Sequence, residues 1–461
     1  MAALKHRGLM LDLARGMERK SYYLELLPWL RDWGYNILHL HLLDDQGCRM
    51  EFPSRPGLAS KGAFTVDEMR TLVCEAARHR IRLIPEIECL GHSSQLKALP
   101  CFKDSRTTRH AGPMNALDPE HPETKPLLRD LIADVASIFP DEVLHAGLDE
   151  VDFSPVARYR NVPEADHWRI FAKHSAWVHQ AIRKHDRRPA MWGDHLLSSR
   201  EMVKSFAKDV LIFDWHYRPE VDPETLDFLA GSGFETWAAP ATMWWYSRLF
   251  CSPGNVRNVR EFTAHAAQPQ QKRVTGVVNT VWCPWRYMAG AMDWPIAWAG
   301  HVFSNTQEQD DVCADFCRSF YGLSPGDATT AAAAILVLHE LVPDTPRIDG
   351  VMNGGIRHTR ERVRQCSEAL PRVTASVRVL ERMEGKARRH GERLHDVVLT
   401  AKLVERWAAR GAKANRYKLR PAKLSDYEQR WSSERPYPTP IFPAAGKWQH
   451  ILQLARKLAD R

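Results

Sequence analysis

The stretch "LHAGLDEV" (residues 144–151) places two adjacent carboxylates, Asp149 and Glu150, directly after a short apolar run. Two other acidic pairs have ordinary explanations. Residues 67–68 fall in the first turn of a predicted helix, where the helix dipole favours negative charge, and residues 141–142 precede the apolar run. If residues 141–147 form a β-strand, the third pair lies at the carboxyl end of that strand. The fold must explain this position.

Outward from this stretch, short apolar segments alternate with longer amphipathic ones. Predicted strands cover residues 8–15, 35–43, 81–88, 141–147, 188–194, 209–215, 234–239 and 275–282. Predicted helices cover residues 20–33, with an interruption or kink near Pro28, a segment that opens with a capping box at Thr65 and Glu68, and residues 124–138 and 166–185.

The strand segments are apolar throughout, which suits a parallel sheet covered by helices. Eight strand–helix units over about 300 residues predict an α/β fold of the (β/α)8 TIM-barrel type. A doubly wound open sheet is the competing interpretation. It would more often carry a glycine-rich phosphate loop after the first strand, and "LDLARGMERK" (residues 11–20) is not one.

Strand patterns end near residue 309, where Ala, Leu, Arg and Glu become dominant. Helices are predicted over residues 326–341, 357–412 and 447–460. We therefore expect two parts, a catalytic barrel over residues 1–308 and an α-helical C-terminal region over residues 309–461. The basic face of this region is most simply a solvated face. Docking on the barrel or on a second subunit is the functional option, so a homodimer is possible.

The composition is that of an ordinary globular protein, with 461 residues of which 44% are hydrophobic and 26% charged. The net charge is +8, but no nucleic-acid-binding motif accompanies the basic residues, so no nucleic-acid partner is expected. No window of 18 residues is uniformly apolar, and the first ten residues do not resemble a signal peptide. We expect a cytoplasmic protein without a membrane partner, whose nine cysteines are reduced thiols.

Tryptophans accumulate at the predicted carboxyl ends of the last four strands. These are Trp192, Trp215, Trp237 and Trp282, with Trp244, Trp245 and Trp285 nearby. One tryptophan is easily explained as core, but a ring of them at one end of a barrel is not. The C–H faces of sugars stack on aromatic rings, and sugar hydroxyls bind carboxylates. The pattern therefore predicts a carbohydrate pocket.

His39 and His41 lie on one face of the second predicted strand and offer a rival interpretation as metal ligands. A metal-dependent barrel hydrolase would also need imidazoles or carboxylates from later strands. The ends of those strands carry tryptophans instead. We expect both histidines to pack inside the barrel, and we predict no metal site.

The motifs resemble those of glycoside hydrolase family 20, the β-N-acetylhexosaminidases. "HAGLDEV" (145–151) is similar to the His-x-Gly-Gly-Asp-Glu motif of that family, and "RGLMLDLAR" (7–15), "NILHLHLLDDQGCRME" (36–51) and "IPEIECLGHS" (84–93) are similar to the segments of its first three strands. The resemblance covers residues 7 to about 305. The compact architecture is most similar to that of the short intracellular hexosaminidase D-like members.

The resemblance implies roles for individual residues. Asp149 would orient the 2-acetamido group of the substrate, and Glu150 would be the general acid/base. His92, with Asp44 or Asp45, would support Glu150 from behind. The remaining assignments are His145 as a further supporting residue, Arg7 for the hydroxyls at C3 and C4, Trp192, Trp215, Trp245 and Trp282 for the pocket walls, and Tyr217 or Tyr246 for the acetamido carbonyl.

The implied activity is that of a retaining exo-β-N-acetylhexosaminidase, which removes terminal β-linked GlcNAc or GalNAc from glycans without a cofactor. In this family the acetamido oxygen of the substrate is the nucleophile and forms an oxazolinium ion. Glu150 would begin protonated and Asp149 ionised. A like charge next door raises the pKa of one member of such a pair, and we expect this to help Glu150 hold its proton.

Three residues depart from the family pattern. Leu148 replaces the second glycine of the strand-four motif, Cys48 replaces a tryptophan, and Pro284 replaces an acid that holds the hydroxyls at C4 and C6. The departures motivate an alternative, a non-catalytic carbohydrate-binding protein on the same barrel. They also predict mild discrimination between GlcNAc and GalNAc, with Arg286 placed to favour a 6-sulfate.

Overall fold

The fold is a closed barrel of parallel strands surrounded by helices. The computed structural model describes residues 4–97, 99–105, 116–154, 156–244, 247, 249–282, 284–304, 311–341, 360–413, 423–436 and 452. Within them, the strands are β1 (His6–Asp12), β2 (Ile37–Leu43), β3 (Arg82–Ile87), β4 (Val143–His145), β5 (Arg188–Trp192), β6 (Leu211–Trp215), β7 (Thr236–Ala239), β8 (Ala241–Met243) and β9 (Val274–Val281).

The strand order β1-β2-β3-β4-β5-β6-β7-β9 closes through a parallel pairing of β1 with β9. β8 continues β7 beyond Pro240 and also pairs with β9. β7 and β8 therefore occupy one strand position, and the barrel has eight such positions. The predicted (β/α)8 barrel followed by a helical region is confirmed.

Helices follow the strands around the barrel. They are α1 (Lys20–Asp32), α2 (Val66–Arg78), α3 (Ser94–Lys97), α4 (Thr124–Ile138), α5 (His167–Arg183), α6 (Asp194–Ser198), α7 (Arg200–Ser205), α8 (Pro223–Gly231), α9 (Pro253–Ala266) and α10 (Asp293–Ser304). α1 runs through Pro28 as one helix, and α2 begins with the predicted capping box, in which Thr65 and Glu68 cap each other.

The C-terminal region adds α11 (Val312–Phe320), α12 (Pro325–Leu341), α13 (Arg360–Glu384), α14 (Gly391–Gly411) and α15 (Leu424–Glu434). The single helix predicted over residues 357–412 is wrong, because the chain breaks between α13 and α14. Two backbone N–H groups in the break, those of Arg388 and Arg389, donate to the carbonyl of Tyr321, and His390 adopts a left-handed φ of 48°. The helix predicted over residues 447–460 lies outside the described residues apart from Leu452.

None of the helices within the described ranges is long and apolar enough to cross a membrane. The barrel interior holds an apolar cluster that includes Met10, Ile37, Leu211 and Val278. Titratable side chains are also buried there, near the carboxyl ends of the first four strands. They form the base of the candidate site.

Candidate active site

Strand register brings four titratable residues to one level of the barrel. Asp12 of β1 pairs with His41 of β2, His41 with Glu86 of β3, and Glu86 with His145 of β4. All four are buried. Sequence reasoning singled out both histidines but missed Glu86, although strand three reads Glu-Ile-Glu and so places Glu86 and Glu88 on one face.

Glu86 is the centre of this layer. One carboxylate oxygen lies 2.9 Å from Nε2 of His39 and 3.1 Å from Nδ1 of His41, and the other accepts a 2.6 Å hydrogen bond from the indole of Trp192. Burial opposes charge on Glu86, but the imidazoles, His41 first, outweigh it and hold its pKa well below 4.5. His39 and His41 therefore pack inside the barrel as predicted.

The histidines of the layer differ in charge. For His41, the negative charges of Glu86 and its other carboxylate neighbours overcome burial and raise the pKa to about 10. For His145, burial dominates and lowers the pKa to about 4, so this ring is neutral. His41 and Glu86 thus form a buried ion pair, which lies below the turn that carries Asp149 and Glu150.

The turn after β4 presents the two adjacent carboxylates. Gly147, Leu148 and Glu150 adopt left-handed φ values of 65°, 70° and 46°. A Cβ on Gly147 would lie 2.1 Å from the Glu88 carboxylate, so only glycine fits there. At Leu148, where the family pattern has glycine, the left-handed conformation costs roughly 1–2 kcal/mol. Such strain at strand ends is typical of functional sites.

His92 connects the two carboxylates to the barrel. Its Nε2 lies 3.3 Å from Glu150 and 3.7 Å from Asp149, and its Nδ1 lies 2.8 Å from Asp45. The partner of His92 is therefore Asp45, whereas Asp44 lies 2.9 Å from Arg15. Burial opposes a charge on His92, but the surrounding carboxylates raise its pKa well above 6.5.

The carboxylate pair is polarised in the opposite sense to the one expected. Burial, together with the charges of Asp194 and Glu150, raises the pKa of Asp149 to about 6 despite the opposing effect of His92. The hydrogen bond from His92 lowers the pKa of Glu150. The Asp149 side chain is 13% exposed and that of Glu150 is 43% exposed, so the desolvation cost falls on Asp149. In the free protein the shared proton favours Asp149.

Two carboxylates near the pair were missed from the sequence. Glu88 is buried below the turn, and its carboxylate accepts a 3.3 Å hydrogen bond from the backbone N–H of Leu148. Burial and the charge of Asp149 raise the pKa of Glu88 well above 4.5, so it is a neutral acid. Asp194 accepts the backbone N–H of Glu150 at 3.0 Å. Asp194 could have been identified from the sequence, because it lies two residues after Trp192, at the carboxyl end of β5.

The assignment of Arg7 to the sugar hydroxyls is wrong. Arg7 lies near the amino end of β1, and its guanidinium donates to the carbonyls of Gly34 and Leu4, both at 2.7 Å. The arginine at the other end of the strand is Arg15, which lies 3.3 Å from Asp12 and packs over Trp282 with 5.3 Å from Cζ to the ring centroid. Strand direction would have distinguished the two arginines.

Aromatic side chains enclose the carboxylates. The indole N–H of Trp282 donates to the Tyr217 hydroxyl at 2.9 Å, and Trp215 stacks on Tyr217 with ring centroids 5.1 Å apart. Trp192 is fully buried, with its ring centroid 5.9 Å from that of Trp282, so it forms a floor rather than a wall. Trp245 and Tyr246 lie outside the described residues.

The residues that follow β9 differ from those expected for the sugar pocket. Pro284 is buried, and a Cβ on Gly16 would lie 3.1 Å from it, so the two loops pack closely. Arg286 is fully buried, with 0% exposure. In this conformation the Arg286 side chain is not accessible to a 6-sulfate, and the predicted contact stays a prediction.

Among the described residues, four groups of side chains bring possible metal-binding atoms within 4.8 Å of one another. They are His39, Glu86 and His145; Asp12, His41 and Asp44; His41, Glu86 and Glu88; and His92, Asp149 and Glu150. Within these groups the imidazole nitrogens lie 2.9–3.7 Å from the carboxylate oxygens.

Comparison with known proteins agrees with the motifs and the barrel. The model of glycosyl hydrolase family 20, catalytic domain, matches residues 4–286. This chain belongs to that family. The beta-hexosaminidase of Vibrio furnissii is 32% identical over 176 residues, which cover 32% of this chain and 29% of that one. The beta-N-acetylhexosaminidase of Cellulomonas fimi is 34% identical over 164 residues, which cover 32% and 33%.

The matched stretch thus spans about a third of the length of these relatives. Solved structures share the fold at lower identity. The GH20 exo beta-N-acetylglucosaminidase of Vibrio harveyi, in complex with N-acetylglucosamine, aligns with a TM-score of 0.55 and 20% identity over 73% of this chain and 59% of that one. The Flavobacterium johnsoniae chitobiase aligns with a TM-score of 0.55 and 17% identity over 97% and 78%.

Proposed function

We propose that this protein is a glycoside hydrolase, a retaining exo-β-N-acetylhexosaminidase that uses the acetamido group of its substrate as the nucleophile. The observation that carries the proposal is the arrangement of Asp149 and Glu150 around one imidazole. Both approach Nε2 of His92, at 3.7 and 3.3 Å. They therefore stand on one side of the pocket and do not face each other across a sugar.

Ordinary retaining glycosidases place two carboxyl groups about 5–5.5 Å apart on opposite sides of the bond, one as nucleophile and one as acid. A pair on one turn cannot do this. It suits a reaction in which the acetamido carbonyl oxygen attacks C1 as Glu150 protonates the departing oxygen. Asp149 accepts the acetamido N–H. Glu150 then takes a proton from the water that opens the oxazolinium ion, and the β configuration is retained.

Substrate binding supplies the protonation state that the free site lacks. An N–H donated to Asp149 stabilises its ionised form and lowers its pKa. The shared proton then moves to Glu150, the more exposed residue, where the leaving oxygen needs it. The two groups titrate as one coupled pair. The reaction therefore requires one proton on the pair, whichever of the two residues carries it in the free protein.

The remaining pocket residues take supporting roles in this proposal. Arg15 replaces Arg7 as the donor to the hydroxyls at C3 and C4, because it lies at the carboxyl end of β1 beside Trp282. Trp215 and Trp282 wall the sugar. The Tyr217 hydroxyl, which accepts the indole N–H of Trp282, would donate to the acetamido carbonyl.

The test is turnover of aryl β-N-acetylglucosaminide and of aryl β-glucoside by the same preparation, with NMR detection of the first anomer released. We expect cleavage of the first substrate, β-anomer as initial product, and almost no cleavage of the glucoside. Efficient glucoside cleavage would require a nucleophile from the protein. Sugar binding without turnover would favour the non-catalytic alternative.

The buried histidine–carboxylate groups keep a metal-dependent hydrolase as a second candidate. We expect EDTA to leave the rate unchanged. Stoichiometric zinc in active protein, together with loss of activity on chelation, would favour this candidate.

A further inference from the structure

The C-terminal helices reach two loops of the barrel through buried charges. We call residues 13–19, which follow β1, the first exit loop, and residues 284–292, which follow β9, the last exit loop. Arg435, directly after α15, donates from Nε to the Glu18 carboxylate at 2.8 Å and from Nη1 to the Tyr287 carbonyl at 2.9 Å. Arg435, a residue with 4% exposure, thus touches both loops through one guanidinium.

The Arg435 side chain packs against two aromatic rings. Its guanidinium carbon lies 4.3 Å from the ring centroid of Trp431 and 5.2 Å from that of Tyr287. Packing on aromatic rings helps to orient the planar guanidinium, which a lysine would not reproduce.

Three neighbouring residues of the C-terminal region, Glu434, Arg393 and Asp396, also contact these loops or their ends. The carbonyl of Glu434 accepts the backbone N–H of Arg19 at 2.5 Å, and the Glu434 carboxylate lies 3.4 Å from the Arg19 guanidinium. In α14, Arg393 donates to Asp293 at 2.6 Å, at the point where the last exit loop becomes α10. Asp396 accepts the backbone N–H of Gly290 at 2.8 Å.

The two loops carry pocket residues close to these contacts. Arg15 belongs to the first exit loop, three residues before Glu18, and Trp282 precedes the last exit loop. Between the loops lies a cavity lined in part by Asp12, Gly16, Glu18, Pro284 and Tyr287. The two loops also touch directly, because a Cβ on Gly16 would lie 3.1 Å from Pro284, and Arg435 bridges them beside this contact through Glu18 and Tyr287.

We propose that Arg435 is a positioning residue that holds the first and last exit loops together and thereby sets the position of Arg15 relative to Trp282. The inference rests on the proposed function, because it assigns the C-terminal region a part in the sugar pocket. It predicts that replacing the Arg435 guanidinium weakens substrate binding more than it lowers the rate of the chemical step.

The test compares Arg435→Lys and Glu18→Gln with wild type and with the control Tyr427→Phe. Tyr427 is buried in the same region and donates to the carbonyl of Leu399 at 3.1 Å, a contact within the C-terminal helices. We expect Arg435→Lys to raise KM for an aryl β-N-acetylglucosaminide about tenfold with kcat within about threefold, a loss on the scale of one or two charge-assisted hydrogen bonds. Glu18→Gln should act in the same direction more weakly, and Tyr427→Phe should leave KM unchanged.

Amide hydrogen exchange gives a second readout that needs no activity. In Arg435→Lys, exchange should accelerate in residues 13–19 and 284–292 and stay unchanged in residues 188–192 of β5. An unchanged KM in both loop variants, or exchange that rises equally in β5, would overturn the proposal. An inactive wild type would refute the proposed function instead, and the exchange pattern alone would then decide the loop inference. If Arg435→Lys does not fold, Glu18→Gln carries both measurements.

Discussion

The two mouths of the barrel both carry charged side chains but compensate them differently. At the amino-end mouth, carboxylates pair with arginines: Arg82 binds Asp141 through two hydrogen bonds of 2.8 Å and Glu142 at 3.2 Å, and Arg188 binds Glu235 at 2.7 Å. At the carboxyl-end mouth, carboxylates crowd against one another. Asp45, Asp149 and Glu150 share the imidazole of His92, and Glu88 and Asp194 accept backbone N–H groups from the turn that carries Asp149 and Glu150.

The difference appears in the pKa values. At the amino-end mouth the bond to Asp141 raises the pKa of Arg82, so its ion pair is stable in the charged form. At the carboxyl-end mouth, burial together with the neighbouring carboxylates raises the pKa of Asp149 to about 6. Carboxylates that pair with arginines fix a structure, whereas several carboxylates that share one imidazole in a desolvated pocket can hold and move protons near neutral pH, which is typical of catalytic sites. Each prediction below tests this contrast.

The largest effect is expected for Glu150→Gln. A glutamine keeps the shape but cannot donate the proton that a poor leaving group needs, and general acid catalysis contributes about 10²–10⁴-fold. We expect kcat/KM for a GlcNAc disaccharide to fall by about 10³-fold, with product binding retained. Near wild-type cleavage of the disaccharide would contradict the role of Glu150.

Asp149→Asn should produce the next largest loss. The asparagine cannot stabilise the developing oxazolinium charge, and one preorganised electrostatic partner contributes about 10²–10³-fold. We expect kcat to fall by at least about 10²-fold and the affinity for a thiazoline mimic to weaken in parallel, because tight binding of such mimics reports transition-state stabilisation. Unaltered thiazoline affinity would mean that Asp149 does not contact the acetamido group.

Pro284 predicts a smaller effect on specificity. The acid of the family pattern is absent at this position, and a lost hydrogen bond to a charged group costs about 1.5–3 kcal/mol. We expect kcat/KM for aryl GlcNAc and aryl GalNAc to differ by no more than about 10²-fold. A preference for GlcNAc above about a thousandfold would show that another residue reads the C4 hydroxyl.

The pH profile tests the crowded carboxylates directly. Because the raised pKa of Asp149 keeps the last proton of the pair up to about pH 6, kcat/KM should fall as the pH rises past 6. Asp194 raises that pKa through its negative charge, so Asp194→Asn should move this limb to lower pH. At the optimum the variant should lose about three- to tenfold, the scale of one weakened hydrogen bond to the Glu150 backbone.

A matched variant at the other mouth controls for the Asp194 experiment. Glu235→Gln removes a carboxylate that pairs with Arg188 at 2.7 Å, far from the proposed chemistry. It should leave the pH profile unchanged. A shifted limb in this variant would show that net charge, and not the neighbour of Asp149, sets the profile.

The sequence predicted the barrel, its strand positions and the strand-end location of the carboxylate pair, because these follow from apolar runs and from motif order. It could not choose between Asp44 and Asp45, since adjacent residues point to different neighbours only in three dimensions. Glu88 and Asp194 were missed because their importance lies in contacts across strands. The direction of the pKa shifts failed for a similar reason: it depends on the unequal burial of Asp149 and Glu150.

The smallest effect is expected for Arg7→Ala, at the amino-end mouth of the strand whose other end carries Arg15. The substitution removes two hydrogen bonds, to the carbonyls of Gly34 and Leu4, and no proposed sugar contact. We expect kcat/KM within about twofold of wild type and a loss of about 1–3 kcal/mol in the free energy of unfolding by urea. Arg15→Ala, the matched change at the carboxyl-end mouth, should instead lower kcat/KM by at least about tenfold. If Arg7→Ala raised KM as strongly as Arg15→Ala does, both mouths would contribute to the site, and the contrast between paired and crowded charges would lose its functional meaning.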